Sequence, residues 1–352
     1  MSHYLSVLCI IKNEEYLEEF IIFHYLQGVQ HFYIYDNDSS IPIQKRLNHY
    51  FYHKLCTIIH YPGKVKQVEA YNHCINTYGK ETEWLAIIDG DEYILPRKDI
   101  NLVSFLKKYD NYSAIAINWI NFGSNYYQFK QPGILIENYT FCQSKSDGHL
   151  KTICKPKDVK KITSPHFVVL KDNNNGYVDC KKTQLKLNNN FTFNYNETTD
   201  IIQINHYWGK SYQELEQKID RGRATMNSKR VMPPNYHDLY NEREDRLIIK
   251  KYLSKMKNIF NVLNTHPKMY KLLNPDLYDI FKDDLDKYTM HLIDNGIKEK
   301  RPTHIKHINP HFNFEFYKNN YKDLNNLTCM QLVEHYMLYG KKENRVCDKL
   351  IE

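Results

Sequence analysis

Four apolar runs of strand length, separated by helix-patterned segments, fill the first ninety residues and constrain the fold more than any other feature. Residues 4–11 read YLSVLCII, a continuous apolar run that suits a strand buried on both faces. Residues 14–27 place Tyr16, Leu17, Phe20, Ile21, Phe23 and His24 at helical spacing, and Gly28 ends that helix. Further strands are predicted over 31–35, 57–61 and 84–88, with a helix over 65–78. Strands alternating with helices imply parallel βαβ units, whose ligands bind beyond the carboxyl ends of the strands. Here those ends carry Lys12-Asn13-Glu14, Asp36-Asn37-Asp38 and Asp89-Gly90-Asp91. Polar residues thus cluster where the topology predicts a site.

The rest of the chain is less regular. Strands are expected over 114–119 and 201–205, a hairpin or surface loop at 173–176, and a loop over 227–245 around Pro233-Pro234. Ser211 with Glu214 three residues on forms a capping box for a helix over 211–223. The C-terminus holds a tandem repeat. The box 269–277 resembles 316–324, and His291, Gly296, Glu299 and Arg301 recur as His335, Gly340, Glu343 and Arg345. Both copies read H-x4-G-x2-E-x-R, about 45 residues apart, a small helical tandem. Its His, Glu and Arg are either a site or, the reading favoured here, a structural hydrogen-bonded turn. This divides the chain into an α/β domain over 1–225, a loop and linking helix over 226–264, and an all-α repeat module over 265–352.

Composition excludes some classes. The net charge of +7 is dispersed; it suits a phosphate-bearing ligand but lacks the dense clustering of nucleic-acid binders. The eight cysteines form no CxxC pair, so a zinc site of usual spacing and a disulfide framework are not expected. No export signal or transmembrane stretch is read, and a cytoplasmic location is expected.

The chemistry concentrates at Asp89 and Asp91. Two carboxylates at a strand end can hold a divalent cation, which neutralises a departing pyrophosphate, and Gly90 permits close backbone approach. Oxygen ligands favour Mg²⁺ or Mn²⁺, and an added imidazole tilts the choice toward Mn²⁺. The alternative is a turn of solvated carboxylates. His206 leaves a strand just ahead of Gly209, Lys210 and a helix N-terminus, so it is placed to ligate the metal while Lys210 meets a phosphate. It reads equally well as a core histidine beside Trp208.

Together these residues resemble glycosyltransferase family 92 and its relatives in the family 2-like group. The likeness runs through residues 11–20, His24, 28–37, Ser39, Gln67, Ala70-Tyr71-Asn72, 89–93, Trp119, Phe122-Gly123-Ser124, Lys155-Pro156, His166, His206-Tyr207 and Lys210-Ser211. The resemblance implies a GT-A fold (a Rossmann-like nucleotide-diphospho-sugar transferase sheet flanked by helices), a nucleotide-sugar donor, commonly UDP-linked, and a divalent metal. It also implies transfer to a glycan or protein-linked hydroxyl with inversion. By position, Asp89 and Asp91 match the metal- and donor-binding pair, and His206 the late histidine that completes the metal site. Lys12, Asn13, Glu14, Asp36 and Asn37 would line the nucleoside pocket, and Gln67 and Asn72 would face the donor phosphates or sugar. Inversion needs a base. Glu137 is the first candidate, although Asn138 stands where the family usually has Arg, and Asp147 is the second. The rival readings are a nucleotidyltransferase, against which residues 12–16 lack glycine, and a non-catalytic carbohydrate-binding protein.

Overall fold

In a computed structural model the described residues are 3–47, 49–172, 176–185, 193–196, 198–221 and 238–348. Most of the expected loops at 173–176 and 227–245, and part of the linking segment 226–264, lie outside them. The chain forms two compact units, one of Met1–Asn48 with Leu55–Met256 and one of His49–Lys54 with Lys257–Glu352.

The first unit is built on strands β1 (His3–Ile11), β2 (His31–Asp36), β3 (Cys56–His60), β4 (Thr82–Ile87), β5 (Glu92–Pro96), β6 (Ala114–Asn121), β7 (Phe141–Cys142), β8 (Leu150–Cys154), β9 (Val159–Ile162), β10 (Val168–Leu170), β11 (Tyr177–Asp179), β12 (Ile202–His206) and β13 (Arg243–Glu244). The main sheet runs β3-β2-β1-β4-β8-β6-β12-β5, with β11 also on β6. The first four of these strands are mutually parallel, as the strand–helix alternation predicts. The remainder is mixed. β8 lies antiparallel to both β4 and β6, and β5 antiparallel to β12, so strand beginnings join strand ends at one edge of the sheet. That reversal brings residues late in the chain to the carboxyl ends of β1 and β4.

Burial follows the pattern. The last seven residues of β1 are all buried, which requires cover on both faces of the sheet. One cover is the helix Leu17–Leu26, buried nearly all round, which takes Glu19 and His24 inside with its apolar residues. His24 is fully used: its Nδ1 lies 2.9 Å from the Phe20 carbonyl and its Nε2 accepts from the Ile94 amide at 3.3 Å. Burial lowers its pKa to about 3, which keeps the ring neutral. The other cover is the helix Gln67–Tyr78, which packs Ala70, Tyr71 and Cys74 into a core with Leu8, Tyr35, Ile87 and Leu150. Asn72 clips this helix to β9, accepting from the Ile162 amide at 2.9 Å and donating to the Ile162 carbonyl at 2.8 Å. Among the described residues no helix is long and apolar enough to cross a membrane.

In the second unit the repeated residues explain one another. The Tyr270 hydroxyl lies 3.0 Å from His291 Nδ1, and Tyr317 lies 2.9 Å from His335 Nδ1. Arg301 reaches Asp276 at 2.6 Å and Glu299 at 2.5 Å, and Arg345 reaches Asp323 at 2.8 Å and Glu343 at 2.5 Å. Each H-x4-G-x2-E-x-R box is therefore bonded to the tyrosine and aspartate of its own upstream box, a structural use. Both glycines close a π-helical turn, Leu292–Gly296 and Tyr336–Gly340. A Cβ on Gly340 would overlap the Tyr317 hydroxyl. Gly340→Ala is therefore expected to destabilise this unit by about 1–3 kcal/mol in urea unfolding. An unchanged midpoint would show that the turn has room to spare.

Candidate active site

A cavity of about 680 Å³ opens beyond the carboxyl ends of β1, β2 and β4. Its wall includes Lys12 and Glu14 after β1, Asn37 after β2, Asp89, Gly90 and Asp91 after β4, and Gln67 from the helix Gln67–Tyr78. Trp119, His149, His166, His206, Trp208, Lys218 and Arg221 complete it. Gly90 is needed for packing: a Cβ there would stand 3.1 Å from both Glu14 Cγ and Ile11 Cγ2.

The two aspartates have different surroundings. Asp89 Oδ1 accepts from Gln67 Nε2 at 2.7 Å and from the Tyr71 hydroxyl at 3.3 Å. Its Oδ2 accepts from Lys151 Nζ at 2.7 Å. Asp91 Oδ2 pairs with Lys218 Nζ, and its Oδ1 lies 3.9 Å from His206 Nε2. Burial alone would raise both carboxyls. The ammonium beside each outweighs that, and both are held below the ordinary carboxylate range. Strand register makes the Asp91–His206 approach. Glu92 pairs with His206 across β5 and β12, and the Tyr207 amide donates to the Asp91 carbonyl at 2.9 Å.

His206 is both a buried histidine and a wall residue. It is 5% exposed, packs 4.1 Å from the Trp119 ring, and shares its Nδ1 with Asn121 Oδ1 at 2.8 Å. Asn121 Oδ1 can only accept, so Nδ1 carries the proton and Nε2, on the Asp91 side, keeps its lone pair. Burial lowers the pKa of the ring to about 3. An ionised carboxylate beside a neutral imidazole with a free lone pair is a donor set that fits a divalent cation of the Mn²⁺ or Mg²⁺ kind. Among the described residues no three His, Cys, Asp or Glu side chains converge, so such an ion would take its other ligands from substrate or water. Lys218 stands on Asp91 in this structure.

Of the other residues named from the sequence, Lys12, Glu14, Asn37 and Gln67 lie on the cavity wall. Asn13, Asp36, Asn72 and Lys210 are engaged in shaping it. Asn13 Oδ1 accepts from the Ser40 amide at 2.8 Å, and Asp36 accepts from the Ser39 and Ile43 amides at 2.9 and 3.1 Å. Lys210 Nζ donates to Glu14 Oε1 at 3.1 Å. The helix Tyr212–Arg221 that follows it is closed by the expected capping box: the Glu214 amide donates to Ser211 Oγ at 3.3 Å and the Ser211 amide to Glu214 Oε2 at 3.2 Å. Glu137 sits exposed on the turn Leu135–Asn138, off the cavity wall, a turn pinned by Leu135 and Ile136 amides donating to Glu19 at 2.7 and 3.2 Å. Asp147 is also exposed, but it is bonded to Asn121 at 3.2 Å and lies 2.9 Å from His149 Nδ1.

Sequence reading missed Lys151, His149, Lys218 and Arg221. Lys151 did leave a signal: a lone lysine between apolar residues of a strand is buried only when paired. Lys218 and Arg221, three apart on one helix, left none beyond their spacing.

The mixed α/β sheet flanked by helices, with its polar residues beyond the strand ends, has the organisation of a GT-A-like fold. The profile of glycosyltransferase family 92 matches residues 8–231, and the chain belongs to that family. It is 25% identical over 232 residues to a family 92 protein of Ricinus communis, covering 63% of this chain and 38% of that one. A family 92 protein of Arabidopsis thaliana is 27% identical over 171 residues, 45% of this chain and 29% of its own length. One from Oryza sativa subsp. japonica is 32% identical over 95 residues, 26% of this chain and 16% of its own. These matches take in well under half of each relative.

Proposed function

We propose that this protein transfers a sugar, with inversion, from a nucleotide-diphosphate donor, UDP-linked, to a hydroxyl of a glycan or protein-linked acceptor. The observation that carries the reading is the meeting of Asp91 and His206 at the wall of a cavity that also holds Lys12, Lys64, Lys218 and Arg221. Four cationic side chains beside the three carboxylates Glu14, Asp89 and Asp91 suit a diphosphate bound with a cation.

In this reading Asp91 and His206 hold a divalent cation, Mn²⁺ or Mg²⁺. When bound it supplies positive charge against the leaving diphosphate. Lys218 and Arg221 add charge from the helix Tyr212–Arg221 and hold the diphosphate as the bond to the sugar breaks. Asp89, oriented by Gln67 and Lys151, faces the donor as a hydrogen-bond acceptor. Lys12, Glu14 and Asn37 at the ends of β1 and β2 line the nucleoside end. The test is release of nucleoside diphosphate from a panel of UDP-sugars with Mn²⁺, with and without EDTA. Metal-dependent release is expected. If no UDP-sugar turns over, the UDP-linked reading is lost, and the protein either uses another nucleotide sugar or is a binding module.

A further inference from the structure

We infer that His149, oriented by Asp147, is the general base that takes the proton of the acceptor hydroxyl; this rests on the transferase reading above. Four observations converge on it. His149 lies on the cavity wall, whereas Glu137 does not. Its Nδ1 is 2.9 Å from Asp147 Oδ1. The ring is fixed by stacking on Trp119, 5.1 Å between centroids at 11°, and by the edge of Phe193 at 4.6 Å. Asp147 is fixed in turn, accepting from Asn121 Nδ2 at 3.2 Å and from the His149 amide at 3.1 Å.

The Asp147 carboxylate, 2.9 Å from Nδ1, disfavours a lone pair on that nitrogen, although the pair does not have the alignment of a hydrogen bond. The proton is therefore placed on Nδ1 and the lone pair on Nε2, the tautomer that a base needs. Burial would raise the Asp147 carboxyl, but the His149 ring beside it and the bond from the His149 amide outweigh that and keep it below the ordinary range, hence ionised. It can therefore stabilise the imidazolium that forms. The surroundings suit a saccharide acceptor. Phe193 stacks on Tyr195 at 5.9 Å and 4°, and the two rings are 37% and 77% exposed beside His149. Flat exposed aromatic faces pack against the C–H faces of sugars.

The step balances. The acceptor oxygen forms its bond to the anomeric carbon as its proton passes to His149 Nε2. The bond from that carbon to the diphosphate oxygen breaks, and the electron pair leaves with the diphosphate. The imidazolium then gives its proton to water. His149 is the catalytic residue in this step and Asp147 a positioning residue.

The experiment measures sugar transfer, donor KM and donor binding in parallel. His149→Gln is expected to lower kcat for transfer by about 10²–10⁴-fold with donor KM and donor binding unchanged. His149→Ala is expected to regain part of the loss with added imidazole. Asp147→Ala is expected to lower kcat less, and Asp147→Glu to restore part of it. Transfer by His149→Gln within a fewfold of wild type overturns the inference. So does loss of donor binding along with transfer in both His149 variants, which would make the residue structural, or absence of imidazole rescue. A wild-type protein that releases no nucleoside diphosphate overturns the transferase reading instead.

Discussion

Asp91→Asn is expected to lower metal-dependent release of nucleoside diphosphate by about a thousandfold, the loss of about 4 kcal/mol of charge stabilisation. The substitution keeps the shape of the side chain and removes its charge. The remaining amide cannot neutralise a cation, and Lys218, which pairs with Asp91, is left as an unopposed positive charge beside the same place. Mn²⁺ affinity, titrated without donor, should fall with turnover. Asp89→Asn makes the contrast. Both oxygens of Asp89 already accept from protein donors, Gln67 and Tyr71 on one side and Lys151 on the other. Its effect on Mn²⁺ affinity should stay within about tenfold. Equal losses of affinity in the two variants would mean that the aspartates share the ion, and an Asp91→Asn protein with more than a tenth of wild-type turnover would remove Asp91 from the metal altogether.

The largest effect on stability should come from Lys151→Met. The side chain is 1% exposed, 2.7 Å from Asp89 Oδ2 and 3.6 Å from Glu92 Oε1. Burial would pull the lysine down, but the two carboxyl groups outweigh it and keep the ammonium charged. Taking one partner from a buried pair leaves the other uncompensated, a loss of about 3–5 kcal/mol. The lower end is expected here, because Asp89 reaches the cavity and can recover water. Urea unfolding of Lys151→Met and of Lys151→Met with Asp89→Asn checks the argument. The second substitution should return part of the loss, since an amide tolerates burial without a counter-ion. If both proteins unfold at the wild-type midpoint, the pair is not holding this end of the sheet.

Local features of the chain were legible because their causes are local. The run 4–11 had to be a doubly covered strand, and the capping box at Ser211 and Glu214 formed as its spacing predicts. The paired repeats read as structure, and bond as structure. Less could be said of Glu137 and Asp147. Both are acidic residues in irregular segments, and only their neighbours separate them: Glu137 stands on a turn pinned to Glu19, whereas Asp147 touches a wall histidine. Asn72 bonds to β9 and Lys210 to Glu14, partners that their spacing along the chain does not show.

Period and spacing were enough to place the parallel strands β1 to β4, the polar residues at their carboxyl ends and Asp89-Gly90-Asp91 among them, because each depends on neighbours within a turn or a strand. What each charge does was decided only by packing. Lys151 comes to Asp89 from 62 residues away and Lys218 to Asp91 from 127. The first contact exists because β8 runs antiparallel beside β4, and the approach of His206 to Asp91 because β12 pairs with β5. A carboxylate's pKa and its freedom to bind a cation follow from the charge beside it and the water excluded around it, and both are set by strand register, which spacing along the chain does not encode.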